Sequence, residues 1–204
     1  MMLRLLLVRH GETGANAGRR FSGSGDVPLN ERGREQAEAL RKALLAEEIH
    51  RIHCSDLIRA RDTAGAIAEG RPIEIIPTPN LRELDFGEWE GMTYEEIRRR
   101  DPEILGRWEA DPALVAPPGG ESLDGLDRRV GTFMAGLPDL RGGQTALVVG
   151  HAGSIRMLLC RVLGLPPRAH WQFGVAPGSL SEINLYPEGA VLVRLNHSPA
   201  TPAG

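Results

Sequence analysis

Lysine is nearly missing from this chain: Lys42 is the only one among 24 basic residues in 204, and arginine carries the rest of the positive charge. That scarcity excludes a P-loop nucleotide site, because the Gly-rich Ser22-Gly23-Ser24-Gly25 is not followed by Lys-Ser or Lys-Thr. Cysteine is almost as scarce. Cys54 and Cys160 are neither closely spaced nor part of a metal-ligand pattern, which argues against a disulfide framework and for reduced core thiols in a cytoplasmic protein. No apolar run is long enough to cross a bilayer. The run at Leu5-Leu6-Leu7-Val8 follows Arg4 and leads directly into Arg9-His10, as a first strand does and a signal peptide does not. Charge of one sign is lacking too. A net charge of -3 gives no general attraction to nucleic acid or to an anionic membrane, so any anion site has to be local. No repeat and no shift in composition divides the chain, which reads as one domain over residues 1–197 with a disordered tail from Ser198 to Gly204.

What is present is an alternation of strands and helices. Leu5–Val8 and Thr145–Gly150 are continuous apolar runs of the kind a sheet covered on both faces requires. Ile52-His53-Cys54 and the stretch from Pro72 to Ile76 read as further strands, and Leu180–Tyr186 with Val191–Leu195 as a terminal hairpin. Between them, Asn30 is placed to cap one helix, Ser55-Asp56 a second that carries Arg59 in its first turn, and Thr93 with Glu96 a third. Glu95 with Arg99 and Glu96 with Arg100 are spaced to pair along that third helix. A helical excursion runs from Asp101 to Pro118, a helix follows from Ser122 to about Gly136, and another carries Ile155, Leu158, Leu159 and Val162 inward. Gly14 to Pro28 lacks periodicity and reads as a loop, and Trp89, Trp108 and Trp171 as packing residues, with Trp89 as a further candidate for a pocket wall. The pattern predicts an α/β fold: a three-layer sandwich with a mostly parallel central sheet and helices on both faces.

In such a sheet ligands bind at the carboxyl ends of the strands. Two apolar strands here end in histidine, His10 and His151, and the first of these is preceded by Arg9. If these meet Arg59, two planar donor forks and a helix start form a pocket for a phosphate dianion. A neutral imidazole inside it can attack phosphorus in line and carry the phosphoryl group as a phosphohistidine. His10 is the expected nucleophile and His151 the donor to an equatorial oxygen. Glu83 is the expected acid for the leaving alkoxide and base for water, competent as an acid once a bound phosphate raises its pKa.

These residues resemble the histidine phosphatase superfamily, which includes cofactor-dependent phosphoglycerate mutases and bacterial α-ribazole phosphatases. The resemblance covers nearly the whole chain. It rests on Arg9-His10-Gly11-Glu12-Thr13 with Asn16, on Ser55 through Ala64, on Leu81-Arg82-Glu83 with Phe86 through Gly91, and on Gly150-His151-Ala152-Gly153. It implies a phosphoglycerate mutase-like sheet and no metal or cofactor. It also implies that His10, Glu83, His151, Arg9 and Arg59 are catalytic, and that Asn16, Ser22, Gly23 and the backbone of Ala152 add substrate contacts to those of Arg9, Arg59 and Glu83. The Phe86–Gly91 and Pro118-Gly119-Gly120-Glu121-Ser122 segments resemble the α-ribazole phosphatase branch and its broad-specificity relatives more than the mutases, whose excursion carries a lysine that is lacking here.

The expected function is therefore a metal-independent phosphomonoesterase acting on a small phosphorylated metabolite, α-ribazole phosphate being one candidate. A phosphoglycerate mutase and a phosphate-binding scaffold without turnover are the alternatives. A zinc hydrolase finds no HExxH or similar ligand pair, and Arg9 beside His10 repels a cation. His50, His53, His170 and His197 fall in no pattern and read as surface or structural residues.

Overall fold

A computed structural model describes residues 2–137 and 143–200. Six strands form one sheet: β1 (Leu3–Arg9), β2 (Arg51–Cys54), β3 (Ile75–Pro77), β4 (Thr145–Gly150), β5 (Leu180–Tyr186) and β6 (Gly189–His197). Their order is β3-β2-β4-β1-β5-β6, parallel from β3 to β1 and antiparallel across β5 and β6. The helices are α1 (Gly14–Ala17), α2 (Glu31–Ala43), α3 (Ile58–Ala68), α4 (Tyr94–Arg100), α5 (Pro102–Ala110), α6 (Leu123–Ala135) and α7 (Ala152–Val162).

Side chains alternate across a strand, and β1 uses the alternation to hold both layers. Leu5 and Leu7 join Leu126 and Val130 of α6 and Leu158 of α7 on one face. Leu6 and Val8 join Leu40 of α2 and Ala60, Ala64 and Ile67 of α3 on the other. β4 is buried along its whole length, as the centre of a doubly covered sheet must be. Burying each such leucine stabilises the fold by about 1.5–3 kcal/mol. Trp89, Ile97 and Leu105 make a separate small core under α4 and α5. Trp89 is fully enclosed there, its Nε1 donating to Asp101 at 2.8 Å, so it walls no pocket. Trp171 is not a packing residue: it is 71% exposed on the 3-10 turn Pro167–Gln172.

Several local expectations need correction. Within the supposed loop from Gly14 to Pro28, Thr13 and Asn16 close a capping box that nucleates the single turn of α1. The strand expected from Pro72 shrinks to Ile75–Pro77, since only those residues find partners on β2. The N-cap of α3 is Leu57, not Ser55-Asp56: Ser55 Oγ accepts from Leu57 N, while the oxygen at the first helical N–H, that of Ile58, comes from Asp26 at 2.6 Å. On α4 the capping box forms, but the arginines pair differently. Arg98 takes Glu95 at 2.9 Å, Arg20 takes Glu96 at 3.0 Å, and Arg100 reaches Glu88. Residues 201–204 of the expected disordered tail lie outside the described residues.

Among the described residues no helix is long and apolar enough to cross a membrane.

Candidate active site

The parallel register decides where the two histidines lie. β1 and β4 pair Val8 with Val149 and Arg9 with Gly150, so the next residues, His10 and His151, emerge side by side at the carboxyl edge. Their ring centroids are 4.9 Å apart at an interplanar angle of 61°. β2 ends beside them, since Cys54 pairs with Val149 and Ser55 N donates to the Val149 carbonyl. From there the chain turns into α3, whose second residue is Arg59.

Each ring is fixed by one hydrogen bond. Nδ1 of His10 lies 2.6 Å from the Gly11 carbonyl, which can only accept, so the proton is on Nδ1 and the Nε2 lone pair is free. Gly11 tolerates no side chain, as a Cβ there meets the Gly33 carbonyl oxygen of α2 at 2.2 Å. His151 is held the other way round. Arg59 Nε donates to its Nδ1 at 3.2 Å, which leaves its proton on Nε2, a buried atom without a partner. Burial, aided by Arg9 and Arg59, holds the His10 pKa well below its ordinary value; burial, then His10, Arg59 and Arg9, does the same to His151. Both imidazoles are therefore neutral at neutral pH.

Arg59 is 1% exposed. Its terminal nitrogens each donate at 2.7 Å to a main-chain carbonyl, Nη1 to Gly25 and Nη2 to Gly23. The fork that the sequence suggested for an anion is thus partly engaged with the 23–25 loop. Glu90 grips the same loop from its other side, accepting Ser24 N–H at 2.6 Å, the Ser24 hydroxyl at 2.8 Å and Gly25 N–H at 2.8 Å. Arg9 donates through Nη1 to the Val175 carbonyl at 2.6 Å, and its buried Nε has no partner. Desolvation lowers the Arg9 pKa to about 10, with Glu83 opposing the shift and Arg156 and Arg59 adding to it. Desolvation also lowers Arg59.

Glu83 arrives from the segment after β3, and its carboxylate accepts Leu84 N–H at 2.8 Å and Gly153 N–H at 2.9 Å. The second of these is an N-terminal amide of α7, two residues from His151. Ala152 N–H is the first of that helix and has no intrahelical acceptor. A cleft of about 350 Å³ opens beside Glu83, with Ser24, Arg82 and Asp85 on its walls.

His10, His151, Arg59, Glu83, Gly23 and Ala152 are thus joined within one constellation, and Arg9 is coupled to it electrostatically. Ser22 precedes Gly23, and its Oγ is buried and unpartnered. Asn16 has its Oδ1 spent on Thr13 in the α1 capping box. Sequence reasoning missed Glu90, Asp26, Thr63, whose hydroxyl accepts Gly11 N–H at 3.2 Å, and Arg129, which binds the Glu83 carbonyl at 2.7 Å. Only the positions of Glu90 inside Phe86–Gly91 and of Thr63 inside Ser55–Ala64 offered any signal. Among the described residues no group of three His, Cys, Asp or Glu side chains is placed to hold a metal ion.

Chemically the edge offers a neutral ring nitrogen with a free lone pair, flanked by buried cations and unpartnered N–H donors. The model of the histidine phosphatase superfamily (branch 1) matches residues 5–198. The chain is 37% identical over 194 residues to an adenosylcobalamin/alpha-ribazole phosphatase of Salmonella typhimurium, covering 95% of this chain and 96% of that one. It is 36% identical to phosphoserine phosphatase 1 of Hydrogenobacter thermophilus, covering 96% and 92%. The crystal structure of the alpha-ribazole phosphatase from Shigella flexneri superposes with a TM-score of 0.90 at 33% identity, covering 98% of this chain and all of that one. The chain belongs to the histidine phosphatase superfamily, branch 1, and is a phosphatase.

Proposed function

We propose that this phosphatase is a metal-independent phosphomonoesterase that works through a phosphohistidine on Nε2 of His10. In the first step the Nε2 lone pair forms the N–P bond while the P–O bond to the alcohol breaks, and Glu83 protonates the departing oxygen. In the second, water attacks phosphorus, Glu83 takes its proton, and the N–P bond breaks with its electron pair returning to His10. His151 Nε2–H and Arg9 Nε–H donate to the phosphoryl oxygens, where charge is redistributed in the transition state. Arg59 keeps His151 in the donating tautomer and adds positive charge, and Asn16, Ser22, Gly23 and Ala152 N–H supply further polar contacts.

The observation that carries this reading is the His10 Nδ1 hydrogen bond to Gly11, which leaves the other nitrogen unprotonated beside two buried, unpartnered donors. Trapping with a labelled phosphomonoester and quenching in alkali tests it: the wild type retains an acid-labile phosphoryl group, and His10→Ala retains none and turns over no ester. Turnover by His10→Ala at the wild-type rate rejects it.

The relatives support a small phosphorylated metabolite as substrate, with α-ribazole phosphate first and phosphoserine next. A mutase has less support, since Lys42 on α2 is the chain's only lysine. We read residues 1–197 as one histidine phosphatase domain, supported by the family match over 5–198 and the single six-stranded sheet. Two buried free thiols support a cytoplasmic setting.

A further inference from the structure

Arg129 sits on α6, outside the strand-end constellation, and its side chain is 19% exposed. A guanidinium carries five N–H donors in a rigid plane, and every one of them is engaged here. Nε reaches the Glu121 carboxylate at 2.9 and 3.2 Å. Nη2 is shared between Glu121 Oε2 at 2.9 Å and the Glu83 carbonyl at 2.7 Å. Nη1 takes the carbonyls of Asn80 at 3.0 Å and Arg82 at 2.6 Å. With no donor left over, Arg129 has nothing to offer a substrate phosphate, and the Glu121 carboxylate balances its charge.

The identity of the carbonyls matters. The Arg82 carbonyl belongs to the peptide plane entering Glu83, and the Glu83 carbonyl to the plane leaving it. One rigid fork therefore pins both planes flanking the Glu83 Cα, which fixes the direction of its Cα–Cβ bond. The carboxylate is gripped independently from α7 through Gly153 N–H. Glu121 is itself tied down, its N–H donating to the Asp85 carbonyl at 2.8 Å, so the turn around Glu83 is braced from two sides.

We propose that Arg129 is a positioning residue for the Glu83 carboxyl group, acting through the main chain and oriented by Glu121. The proposal rests on the reading of Glu83 as proton donor. An acid displaced by a fraction of an ångström costs most where the leaving alkoxide is basic and little where it departs unaided. A residue that merely staples the core lowers stability and the rates on all esters together.

The test compares kcat/KM for an unactivated alkyl phosphate and for 4-nitrophenyl phosphate in the wild type, Glu83→Gln, Arg129→Lys and the double variant. Lysine keeps the charge but brings only three donors on one nitrogen, which cannot span three carbonyls and a carboxylate. The alkyl ester is expected to lose about 10- to 100-fold more than the nitrophenyl ester in Arg129→Lys. The double variant is expected to lose no more than Glu83→Gln alone. Equal losses on both esters, or losses that multiply in the double variant, overturn the positioning role while leaving Glu83 as the acid. If Glu83→Gln itself slows both esters alike, the acid assignment fails and this inference with it. Should Arg129→Lys not fold, Glu121→Gln replaces it: the same split of smaller size supports the proposal, and its absence rejects it.

Discussion

Arg59 Nε donates to Nδ1 of His151 at 3.2 Å, and by that bond one buried cation sets the proton position of the ring next to His10. The two imidazoles stand 4.9 Å apart and are forced into opposite tautomers, because one is bonded to a carbonyl and the other to a guanidinium. One ring presents a lone pair and its neighbour an N–H. A phosphoryl group between them meets an electron-pair donor on one side and a hydrogen-bond donor on the other.

This arrangement predicts a spectrum. Long-range 1H–15N correlations of the free enzyme should show His10 protonated on Nδ1 and His151 on Nε2, with neither ring titrating through the ordinary histidine value of 6.5, since burial and the two arginines lower both. A ring that protonates near 6.5, or two rings in the same tautomer, contradicts the geometry.

The same shifts dictate how stability follows pH. A histidine whose folded pKa lies below its unfolded one binds fewer protons when folded. Between the folded value and 6.5 the unfolded chain takes up the extra proton, and stability falls as pH falls. Above 6.5 the contribution is complete. Burial also lowers His53, and takes His170 to about 4, with the same sign. Urea midpoints should therefore be level above about pH 7.5 and decline from 6.5 to 5, where free carboxyls are still mostly ionised. The decline should be shallower in a His10→Gln, His151→Gln double variant. A midpoint unchanged between pH 7.5 and 5, or an equal slope in the double variant, rejects the linkage.

The fold and half of the site were legible because they are written locally. An apolar run that stops at a histidine needs no tertiary knowledge to be read as a strand end, and β1 and β4 each announce themselves that way. Arg59 in the first turn of α3 follows from a cap-like pair before an apolar helix, even though the true cap oxygen belongs to Asp26. What was not legible depends on contacts between distant segments. Glu90 meets Ser24 across 66 residues, and Arg129 meets Arg82 across 47; neither leaves a periodic mark. The partners of Arg99 and Arg100 were misjudged for the same reason: Arg98 takes the Glu95 carboxylate and Arg100 reaches Glu88. Spacing along a helix names eligible neighbours, but Glu96 was already committed to its cap and to Arg20.

Gly153 offers a test that separates function from stability. A Cβ at this position lies 2.1 Å from Glu83 Oε1, the mobile end of a side chain, so the carboxylate gives way and the helix does not. Alanine in place of glycine also favours a helix by up to about 1 kcal/mol. Gly153→Ala is therefore expected to melt no lower than the wild type while its kcat/KM for an alkyl phosphate falls about 10- to 100-fold, with a smaller loss on the nitrophenyl ester. A variant that keeps the wild-type rate on both esters shows that the Glu83–Gly153 contact plays no part in turnover.

Glu90 holds the loop that Arg59 grips rather than Glu83, and its variant should leave the opposite signature. Its two oxygens take the N–H groups of Ser24 and Gly25, while Arg59 takes the carbonyls of Gly23 and Gly25, so the loop is held between an anion and a cation that do not touch it in the same places. Glu90→Ala releases one side of that clamp, and the loop then no longer fixes the Arg59 fork that orients His151. Hydrogen bonds to a charged group are worth about 1.5–3 kcal/mol net, and each 1.4 kcal/mol transmitted to the phosphate pocket is about tenfold in affinity. The expected result is a fall of about tenfold or more in kcat/KM on alkyl and nitrophenyl phosphates alike, with weaker inhibition by inorganic phosphate. Because Arg59 is proposed to act on the transferring group and not on the leaving alcohol, a loss confined to the alkyl ester places Glu90 with Glu83 instead, and retention of the wild-type constants removes it from the site.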